Sequence, residues 1–337
     1  MTPRNSIIPV FVPHLGCPND CVFCNQRTIS GSLRPAGAED VVQALEEAKK
    51  VTAGGAELAF YGGSFTAVPE DLQRSLLEAA RPYRKEGFLR SIRVSTRPDA
   101  VTAEKLSLLK AYGVETVELG AQSMYDRVLR LSGRGHGAED TVRATSLVKA
   151  SGMGLVLQMM TGLPGASPEL DYHTAEAIAA LQPDGVRVYP TVILRGTALE
   201  ALWRAGKYRA HTVSDAVETC APIAALFLRA GIPILRLGLN PTEALSVGEA
   251  VGGAYHPALG ELVYSKLYLD LAREKLRALP RMPRKVELLV AASHVSQMTG
   301  RKKANLLALQ WEFGLEGISV SGGAFPPETV EIGKILW

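Results

Sequence analysis

The stretch VPHLGCPNDCVFCNQRTISG, residues 12–31, contains three of the four cysteines in this chain of 337 residues: Cys17, Cys21 and Cys24. Their spacing is C-x3-C-x2-C. A cubane [4Fe–4S] cluster takes four thiolate ligands when protein alone coordinates it. Three thiolates on one short loop would leave one iron without a protein ligand, and that iron would be open to another molecule.

Two other uses of these cysteines fit the residues less well. A zinc site normally has paired C-x2-C knuckles with further ligands downstream, and no second Cys/His pair follows at that spacing. A disulfide framework is not expected with four cysteines in a chain of this length and no signal-peptide layout. The spacing by itself favours an iron–sulfur cluster without establishing one.

The composition is that of an ordinary globular protein, with 47% hydrophobic and 21% charged residues. The net charge of +3 argues neither for nor against nucleic acid as a partner. No apolar run approaches the roughly 18 residues that a membrane span needs. We therefore expect a cytoplasmic protein without a membrane partner, in a compartment that keeps cysteines reduced.

Short β-branched apolar runs alternate with helical patterns, which is typical of parallel strands joined by crossover helices. Strands are predicted at residues 6–12, 58–61, 91–95, 116–119, 155–160 and 185–189. Six such units predict an α/β fold, a partial TIM-like (β/α)6 barrel over residues 1–195. The pattern changes after Arg195, and residues 196–337 are predicted to form a C-terminal α+β extension packed on the barrel.

Active sites of such barrels lie at the C-terminal ends of the strands. The unusual residues of this sequence follow the predicted strands: the cysteine loop, residues 62–66, residues 96–99, Gln122, residues 161–165 and residues 190–195. We therefore expect these loops to form one site.

Several motifs occur in a fixed order: VSTRPD at 94–99, VELGAQS at 117–123, GRGH at 133–136, QMMTGLPG at 158–165 and VYPTVILRGTALE at 188–200. Together with the cysteine loop, in which Phe23 precedes the last cysteine, they resemble radical S-adenosylmethionine (SAM) enzymes. The resemblance is to the radical SAM domain of the Elongator catalytic subunit and its bacterial and archaeal relatives, over roughly residues 7–240. A looser likeness exists to oxygen-independent coproporphyrinogen oxidase.

The resemblance implies that Cys17, Cys21 and Cys24 hold a [4Fe–4S] cluster whose open iron binds SAM. The glycine pair Gly62-Gly63 with Ser64 is similar to the segment whose backbone holds the SAM amino group, since glycine lets a backbone approach a ligand closely. The resemblance also implies that Ser95, Gln122, Arg134 and Gln158 contact the SAM ribose, its carboxylate or its methionine tail. The complete set of implied cofactor-binding residues is Phe23, Gly62, Gly63, Ser64, Ser95, Gln122, Arg134 and Gln158.

The catalytic residues are not identified by the sequence, and three candidates are named. Tyr189 and Arg195 match the YPT…RGT run of the family, although Tyr189 would equally well cap the barrel. His256 in GGAYHPALGE is the third. We expect His14 to order the cysteine loop and Cys220 to be a buried core thiol. His136 is equally well a surface residue or a ligand. The run Arg301-Lys302-Lys303 is expected to be a solvated basic face.

The resemblance implies an enzyme that reductively cleaves SAM to a 5′-deoxyadenosyl radical, which abstracts hydrogen from an unidentified substrate. Its implied partners are that substrate, a tRNA or a small molecule, and an electron donor such as flavodoxin or ferredoxin. The acetyltransferase domain and additional zinc-binding cysteines of the Elongator subunit have no counterpart here, so its acetyl-dependent chemistry is not carried over. A tRNA-modifying or tRNA-binding Elongator-like protein and a non-catalytic iron–sulfur scaffold are the alternatives.

Overall fold

The computed structural model describes residues 6–12, 17, 21–25, 36–240 and 245–337, without the side chains of residues 246 and 247. Seven parallel strands form its main sheet, which curls into a half-barrel. In spatial order they are β1 (Ile7–Phe11), β2 (Ala56–Tyr61), β3 (Leu89–Thr96), β4 (Val114–Gln122), β5 (Gly154–Thr161), β6 (Gly185–Pro190) and β8 (Ile234–Leu237).

Helices connect successive strands of this sheet and cover its outer face. They are α1 (Ala38–Lys49), α2 (Glu70–Lys85), α3 (Ala103–Ala111), α4 (Asp126–Leu131), α5 (Ala138–Ala150), α6 (Pro168–Ala180), α7 (Ala198–Arg204) and α8 (Val213–Arg229). Because side chains alternate along a strand, β3 buries Ile92 and Val94 fully while Arg93 and Ser95 are only half-buried on its other face. No helix in the described part of the chain combines the length and hydropathy of a membrane span.

All six predicted strands are present, and the partial TIM-like barrel with a C-terminal extension is confirmed. The predicted number of strands was wrong by one, because β8 pairs in parallel with β6 and adds a seventh strand. This strand lies in the segment that the sequence analysis assigned to the extension. Its four residues, ILRL, are only partly buried or exposed and include Arg236, so they gave a weak strand signal.

The remaining elements form two smaller sheets and one long helix. A short strand β7 (Val192–Leu194) pairs antiparallel with β9 (Ala250–Gly253), and α9 (Leu259–Arg277) packs against α8. The last part, here called the C-terminal unit (residues 285–336), contains β10 (Lys285–Ala291), α10 (Val295–Thr299), α11 (Ala304–Phe313), β11 (Gly317–Gly323) and β12 (Val330–Leu336).

In the C-terminal unit, β10 is the central strand, parallel to β11 and antiparallel to β12. Parallel neighbours require a crossover, which α10 and α11 supply. The helical pattern of residues 301–312 predicts a basic helix, but helix α11 begins later, at Ala304. The backbone at Lys302 and Lys303 has φ angles of 52° and 62°, which a continuous helix does not allow.

Helix α8 joins the segment after residue 195 to the barrel core. Its residues Cys220, Ile223, Ala224 and Phe227 follow the i, i+3, i+4, i+7 spacing of an apolar helix face, and all four are fully buried. Helix α8 packs against α6 and the long helix α9. The core of the barrel therefore continues beyond the six predicted units.

We predict that Phe227→Ala lowers the free energy of unfolding by about 3–5 kcal/mol, because it leaves a cavity in the core. Urea unfolding of the cluster-free protein, followed by circular dichroism, measures this. The control Arg229→Ala changes an exposed residue two positions later and should shift stability by no more than about 0.5 kcal/mol. Equal stabilities of Phe227→Ala and wild type would mean that α8 does not support the barrel.

Candidate active site at the carboxyl ends of the strands

Backbone hydrogen bonds hold the cysteine segment against two other loops. The Cys24 N–H donates to the Cys21 carbonyl at 2.9 Å, which forms a tight turn. The Val22 N–H donates to the Ser132 carbonyl at 3.1 Å, and the Leu199 N–H donates to the Val22 carbonyl at 2.7 Å. The turn therefore lies between the end of α4 and the start of α7, at the carboxyl end of the sheet.

The three candidate cluster ligands, Cys17, Cys21 and Cys24, are half-buried thiols. Arg134 donates from Nη1 to the Cys21 Sγ at 3.4 Å. The pKa of Cys17 is raised, first by burial and then by the neighbouring Cys21, while the charges of Arg97 and Arg134 act in the opposite direction. A [4Fe–4S] core with three thiolate ligands is negatively charged, so two adjacent guanidinium groups fit it.

Arg134 also connects the cysteine segment to the end of β4. Its Nη2 donates to the Gly120 carbonyl at 2.7 Å. A Cβ atom at Gly120 would lie 2.9 Å from Gln122 Nε2 and 3.3 Å from Arg134 Nη2, so glycine leaves room for both side chains. One guanidinium therefore spans the distance from a candidate cluster ligand to the backbone of the sheet.

Gln122 has an unusual backbone conformation, with φ at 65°. The Ser123 N–H donates to the Ala121 carbonyl at 2.8 Å, which closes a rare γ-turn around Gln122, and the strand register shifts at this point. Strained residues of this kind persist only where the surroundings hold them, and they concentrate at functional sites. The Gln122 side chain is only 5% exposed.

Three buried polar atoms close to the end of β4 have no hydrogen-bond partner in the described part of the chain. They are Gln122 Oε1, Arg134 Nε and His136 Nδ1. An unsatisfied buried polar group costs about 1–3 kcal/mol, so their grouping indicates a place where a polar ligand completes the hydrogen bonds. The residues present thus fit a ligand with the carboxylate and ribose oxygens of SAM.

His136 is buried, with 7% of its surface exposed, which excludes the first of its two predicted alternatives, a surface residue or a ligand. Its Nε2 lies 3.3 Å from the Ala121 carbonyl. Burial, assisted by the Arg134 charge, lowers the pKa of His136 to about 4. The imidazole is therefore neutral at physiological pH.

The glycine turn after β2 is fastened to the end of β3. Gly62 has φ at 88°, and a Cβ there would lie 3.1 Å from Phe11 Cδ1. Ser64 is fully buried; its Oγ lies 2.9 Å from Thr96 Oγ1 and accepts the Arg97 N–H at 3.1 Å. Because the Ser64 side chain is used in these bonds, the turn offers a ligand mainly its backbone at the half-buried Gly62 and Gly63.

Four charged side chains form a buried network on the inner face of the sheet. Glu118, 1% exposed, accepts hydrogen bonds from Arg93 Nη1 at 2.6 Å and Arg187 Nη2 at 3.0 Å. Arg93 Nη2 also donates to Glu57 Oε2 at 2.9 Å. Two carboxylates and two guanidiniums balance each other, and Arg187 Nη2 donates to the Tyr61 hydroxyl at 2.9 Å.

Three predicted site residues border this network. Ser95 donates to Glu118 Oε2 at 3.4 Å, and Gln158 on β5 lies between Gly120 and Arg187 in strand register. Arg187 Nη1 donates to the Tyr189 hydroxyl at 3.5 Å. Burial raises the pKa of Tyr189, so its phenol is protonated at neutral pH.

The other predicted residues are bound to different elements. Arg195 is exposed and donates from Nη2 to the Gly248 carbonyl at 3.1 Å, while its own carbonyl accepts from Asn25 Nδ2 at 2.8 Å. His256 Nδ1 accepts the Ala258 N–H at 3.1 Å before α9.

Cys220 is a buried thiol, as predicted. Phe23 is half-buried in the cysteine turn, and His14 lies outside the described residues.

Sequence reasoning missed the residues around the loop after β5. The Gly162 N–H donates to Asp171 Oδ2 at 2.8 Å, and the Gly162 carbonyl accepts from the Tyr208 hydroxyl at 2.6 Å. His211 Nε2 lies 3.2 Å from Thr161 Oγ1. Burial raises the pKa of Asp171 to about 7. Residues 161–165 were predicted as a site loop, but no motif marked Asp171, Tyr208 or His211. The inner-face network, by contrast, left a signal, because polar residues recur at every second position of β3.

No group of three His, Cys, Asp or Glu side chains among the described residues is arranged to hold a single metal ion. Three polar features lie at the same end of the sheet as the cysteine turn: Arg134, the γ-turn at Gln122 and the glycine turn at Gly62. The structure thus brings together, at one end of the sheet, four of the six loops predicted to form one site: those after β1, β2, β3 and β4.

Comparison with known proteins gives two family matches. Residues 11–178 match the Radical SAM superfamily, and residues 183–268 match the Radical_SAM C-terminal domain. Elongator complex protein 3 of Mus musculus is 35% identical over 231 residues, which are 63% of this chain and 41% of that protein. The tRNA uridine(34) acetyltransferase of Methanocaldococcus infernus is 32% identical over 174 residues, 51% of this chain and 32% of that protein.

The chain thus spans less than half the length of these curated relatives. Among solved structures, the archaeal Methanocaldococcus infernus Elp3 with an N-terminal deletion is similar, with a TM-score of 0.62 and 25% sequence identity. The likeness covers 78% of this chain and 62% of that one. The resemblance inferred from the motifs is confirmed by these matches.

We predict that Glu118→Gln lowers the free energy of unfolding by about 3–5 kcal/mol, because Arg187 would lose the carboxylate with which it pairs and Arg93 would keep only that of Glu57. Urea unfolding of the cluster-free protein measures the change. The matched control is Glu115→Gln on the same strand, whose half-exposed carboxylate pairs with Arg84 and should contribute less than about 1 kcal/mol. Equal effects of the two substitutions would contradict the role assigned to the network.

Proposed function

We propose, from the premise that this chain belongs to the radical SAM superfamily, that Cys17, Cys21 and Cys24 bind a [4Fe–4S] cluster and that the enzyme cleaves SAM reductively. Members of this family use that cluster and SAM for radical chemistry. The observation that carries the residue assignment is the position of Arg134, which donates to Cys21 Sγ and to the Gly120 carbonyl. It joins the candidate ligand loop to the unsatisfied polar atoms beside β4.

The chemistry that the cluster supplies when bound is one-electron reduction of SAM, which yields a 5′-deoxyadenosyl radical for hydrogen abstraction. The protein's own residues bind and orient. Carbonyls of the glycine turn at Gly62 and Gly63 would accept hydrogen bonds from the SAM amino group. Gln122 and Arg134, which have unsatisfied buried atoms, would bind its polar oxygens.

The inner face of the sheet is the proposed place for the substrate. Its four charges are already paired, so a substrate would meet a polar surface without a large net field. Tyr189 retains its proton because burial raises its pKa, and it would donate a hydrogen bond to the substrate. Exclusion of water from this face would protect a reactive intermediate from stray hydrogen donors.

We predict that replacing Cys17, Cys21 and Cys24 together by alanine abolishes both the cluster and 5′-deoxyadenosine formation. The protein is reconstituted anaerobically with iron and sulfide, and its iron content, visible absorption and product under dithionite are measured. Cys220→Ala is the matched control, because this thiol is fully buried among core residues. It should retain the cluster and product formation.

The outcomes separate the enzyme from its alternatives. A wild-type protein that shows cluster absorption but forms no 5′-deoxyadenosine with SAM and reductant would be the non-catalytic scaffold. A wild-type protein without cluster absorption would refute the assignment of the three cysteines. A low-potential protein such as flavodoxin or ferredoxin is the proposed natural electron donor.

A second prediction tests the glycine turn. Gly62→Ala should weaken SAM binding about tenfold or more while the cluster remains, because the backbone at φ 88° disfavours a side chain by about 1–2 kcal/mol and Cβ would press on Phe11. Isothermal titration with cluster-loaded protein measures the affinity.

Gly55→Ala is the control for this substitution. Gly55 has a similar φ of 71°, but a Cβ there would meet no atom within 4 Å, in the loop before β2. It should cost comparable stability and leave SAM affinity unchanged. If Gly62→Ala also leaves SAM affinity unchanged in a folded, cluster-loaded protein, the turn does not hold SAM.

A second candidate function is modification of tRNA, favoured by the names of the relatives. One is a tRNA uridine(34) acetyltransferase, and this chain matches 32% of its length. Because so little of that protein is covered, acetyl transfer is not proposed. The proposed reaction is radical chemistry on tRNA, and tRNA-dependent formation of 5′-deoxyadenosine would distinguish it from a small-molecule substrate.

A further inference from the structure

The C-terminal unit lies outside both family matches, which end at residue 268. It is a strand–helix–helix–strand arrangement completed by β12, and the residues from Gly300 to Lys303 connect its two helices. The family likeness therefore assigns no role to this unit, and its surface can be interpreted only from its own residues.

The connection between the two helices is fixed by packing. A Cβ at Gly300 would lie 2.9 Å from the Asn305 backbone nitrogen, and its φ is 73°. Asn305 is buried, and its Nδ2 donates to the carbonyls of Ser265 at 2.8 Å and Gln297 at 3.1 Å. Since Ser265 belongs to α9, the loop is fastened to the long helix and presents its side chains in a defined position.

The loop exposes three consecutive cations, Arg301, Lys302 and Lys303. None of them forms a salt bridge in the described part of the chain. Four other basic residues in and around the C-terminal unit pair with carboxylates: Arg273 and Arg277 with Glu312, Arg284 with Glu316, and Lys275 with Glu331. Lys285 and Lys334 form no salt bridge among the residues that the structure describes. The positive charge of the loop is thus available to an external anion.

A stripe of exposed residues continues from this loop along α11. Leu307 and Trp311 are spaced four residues apart, so they share one side of the helix, and Lys303 immediately precedes its first residue. Leu307 is 59% exposed and Trp311 is 89% exposed, whereas Leu309 on the opposite side is fully buried. Tryptophan is usually well buried, so an exposed indole in line with a cationic loop requires an explanation.

Cations that follow a backbone, combined with an aromatic ring on which bases stack, are the elements of single-stranded nucleic-acid binding. Glycine-containing loops clamp RNA backbones in KH modules. An acidic protein surface would also complement the cations, and tryptophan is common at the centres of protein interfaces. The proposed action on tRNA therefore decides in favour of a nucleic acid.

We propose that this face of the C-terminal unit binds single-stranded RNA, with the cations of residues 301–303 contacting phosphates and Trp311 stacking on an unpaired base. The choice of RNA over other polyanions rests on the proposed action on tRNA. The site itself rests on the unpaired cations and the exposed indole, and it extends the enzyme's RNA contact beyond the barrel.

The test uses the full chain and a fluorescein-labelled single-stranded RNA of about 12 nucleotides, followed by fluorescence anisotropy over a range of salt concentrations. The double substitution Lys302→Gln with Lys303→Gln should weaken binding and reduce the slope of log K against log salt by about 1.4, which is about 0.7 for each lost phosphate contact. The control, Lys85→Gln with Lys149→Gln, removes the same charge from exposed positions on α2 and α5 and should leave the slope unchanged.

Trp311 gives an independent test of stacking. Trp311→Ala should weaken RNA binding about tenfold or more, and Trp311→Phe should restore most of the affinity because it keeps an aromatic ring. Both variants should fold normally, since substitutions at exposed positions change stability little. Circular dichroism and urea unfolding verify this.

Four results would overturn the proposal: equal affinity of wild type and the double lysine variant, unchanged affinity of Trp311→Ala, tighter binding of a duplex than of the single strand, or tighter binding of single-stranded DNA than of RNA. A Trp311→Ala protein that loses self-association but keeps its RNA affinity would assign the face to contact with a second copy, and would also overturn it.

Failure of this proposal is distinguishable from failure of the proposed function. The protein with alanine at Cys17, Cys21 and Cys24 should bind the RNA as wild type does, because the assay needs neither cluster nor SAM. RNA binding without SAM cleavage would contradict the catalytic proposal alone. SAM cleavage with no RNA binding would contradict the C-terminal site alone.

Discussion

The pairing of Glu118 with Arg93 and Arg187 ties three strands of the barrel together on its inner face. Burying such charges has a large desolvation cost, which close pairing offsets, and apolar replacements of buried ion pairs are often as stable or more so. Stability alone therefore does not explain these charges. They keep the inside of the half-barrel polar, so the space beside the cysteine turn differs from the apolar outer face that the helices cover.

The carboxyl end of the sheet concentrates backbone conformations that a simple scaffold would not need. The γ-turn at Gln122 and the glycine turn at Gly62 both require positive φ. Each is held by neighbours: Arg134 bonds to Gly120, and Ser64 bonds to Thr96. Contacts with the rigid strands stabilise these conformations. The unsatisfied atoms of Gln122, Arg134 and His136 lie close to the end of β4, where a polar ligand would complete their hydrogen bonds.

Sequence patterns predicted the strands of the barrel because short β-branched apolar runs alternate with helical patterns. They missed β8, whose four residues are only partly covered, and they left His136 open between a surface residue and a ligand, since burial of a loop histidine depends on neighbours distant in the chain. The ion network also escaped prediction, because its members are on β2, β3, β4 and β6 and meet only when strand register is known. Family likeness implied the cysteine loop as cluster ligands and Arg134 as a SAM contact, but it did not predict the hydrogen bond of Arg134 to Cys21. It gave no information on residues 285–336.

The two proposed sites are connected by continuous packing. Asn305 at the basic loop bonds to Ser265 on α9, and α9 packs along α8. Cys220 on α8 lies 3.7 Å from Thr161 Oγ1, at the carboxyl end of β5. A partner held by the C-terminal unit would therefore be held relative to the barrel opening by buried helices, and a flexible tether is not needed. Positioning of this kind favours reaction because it replaces a bimolecular encounter with a fixed geometry.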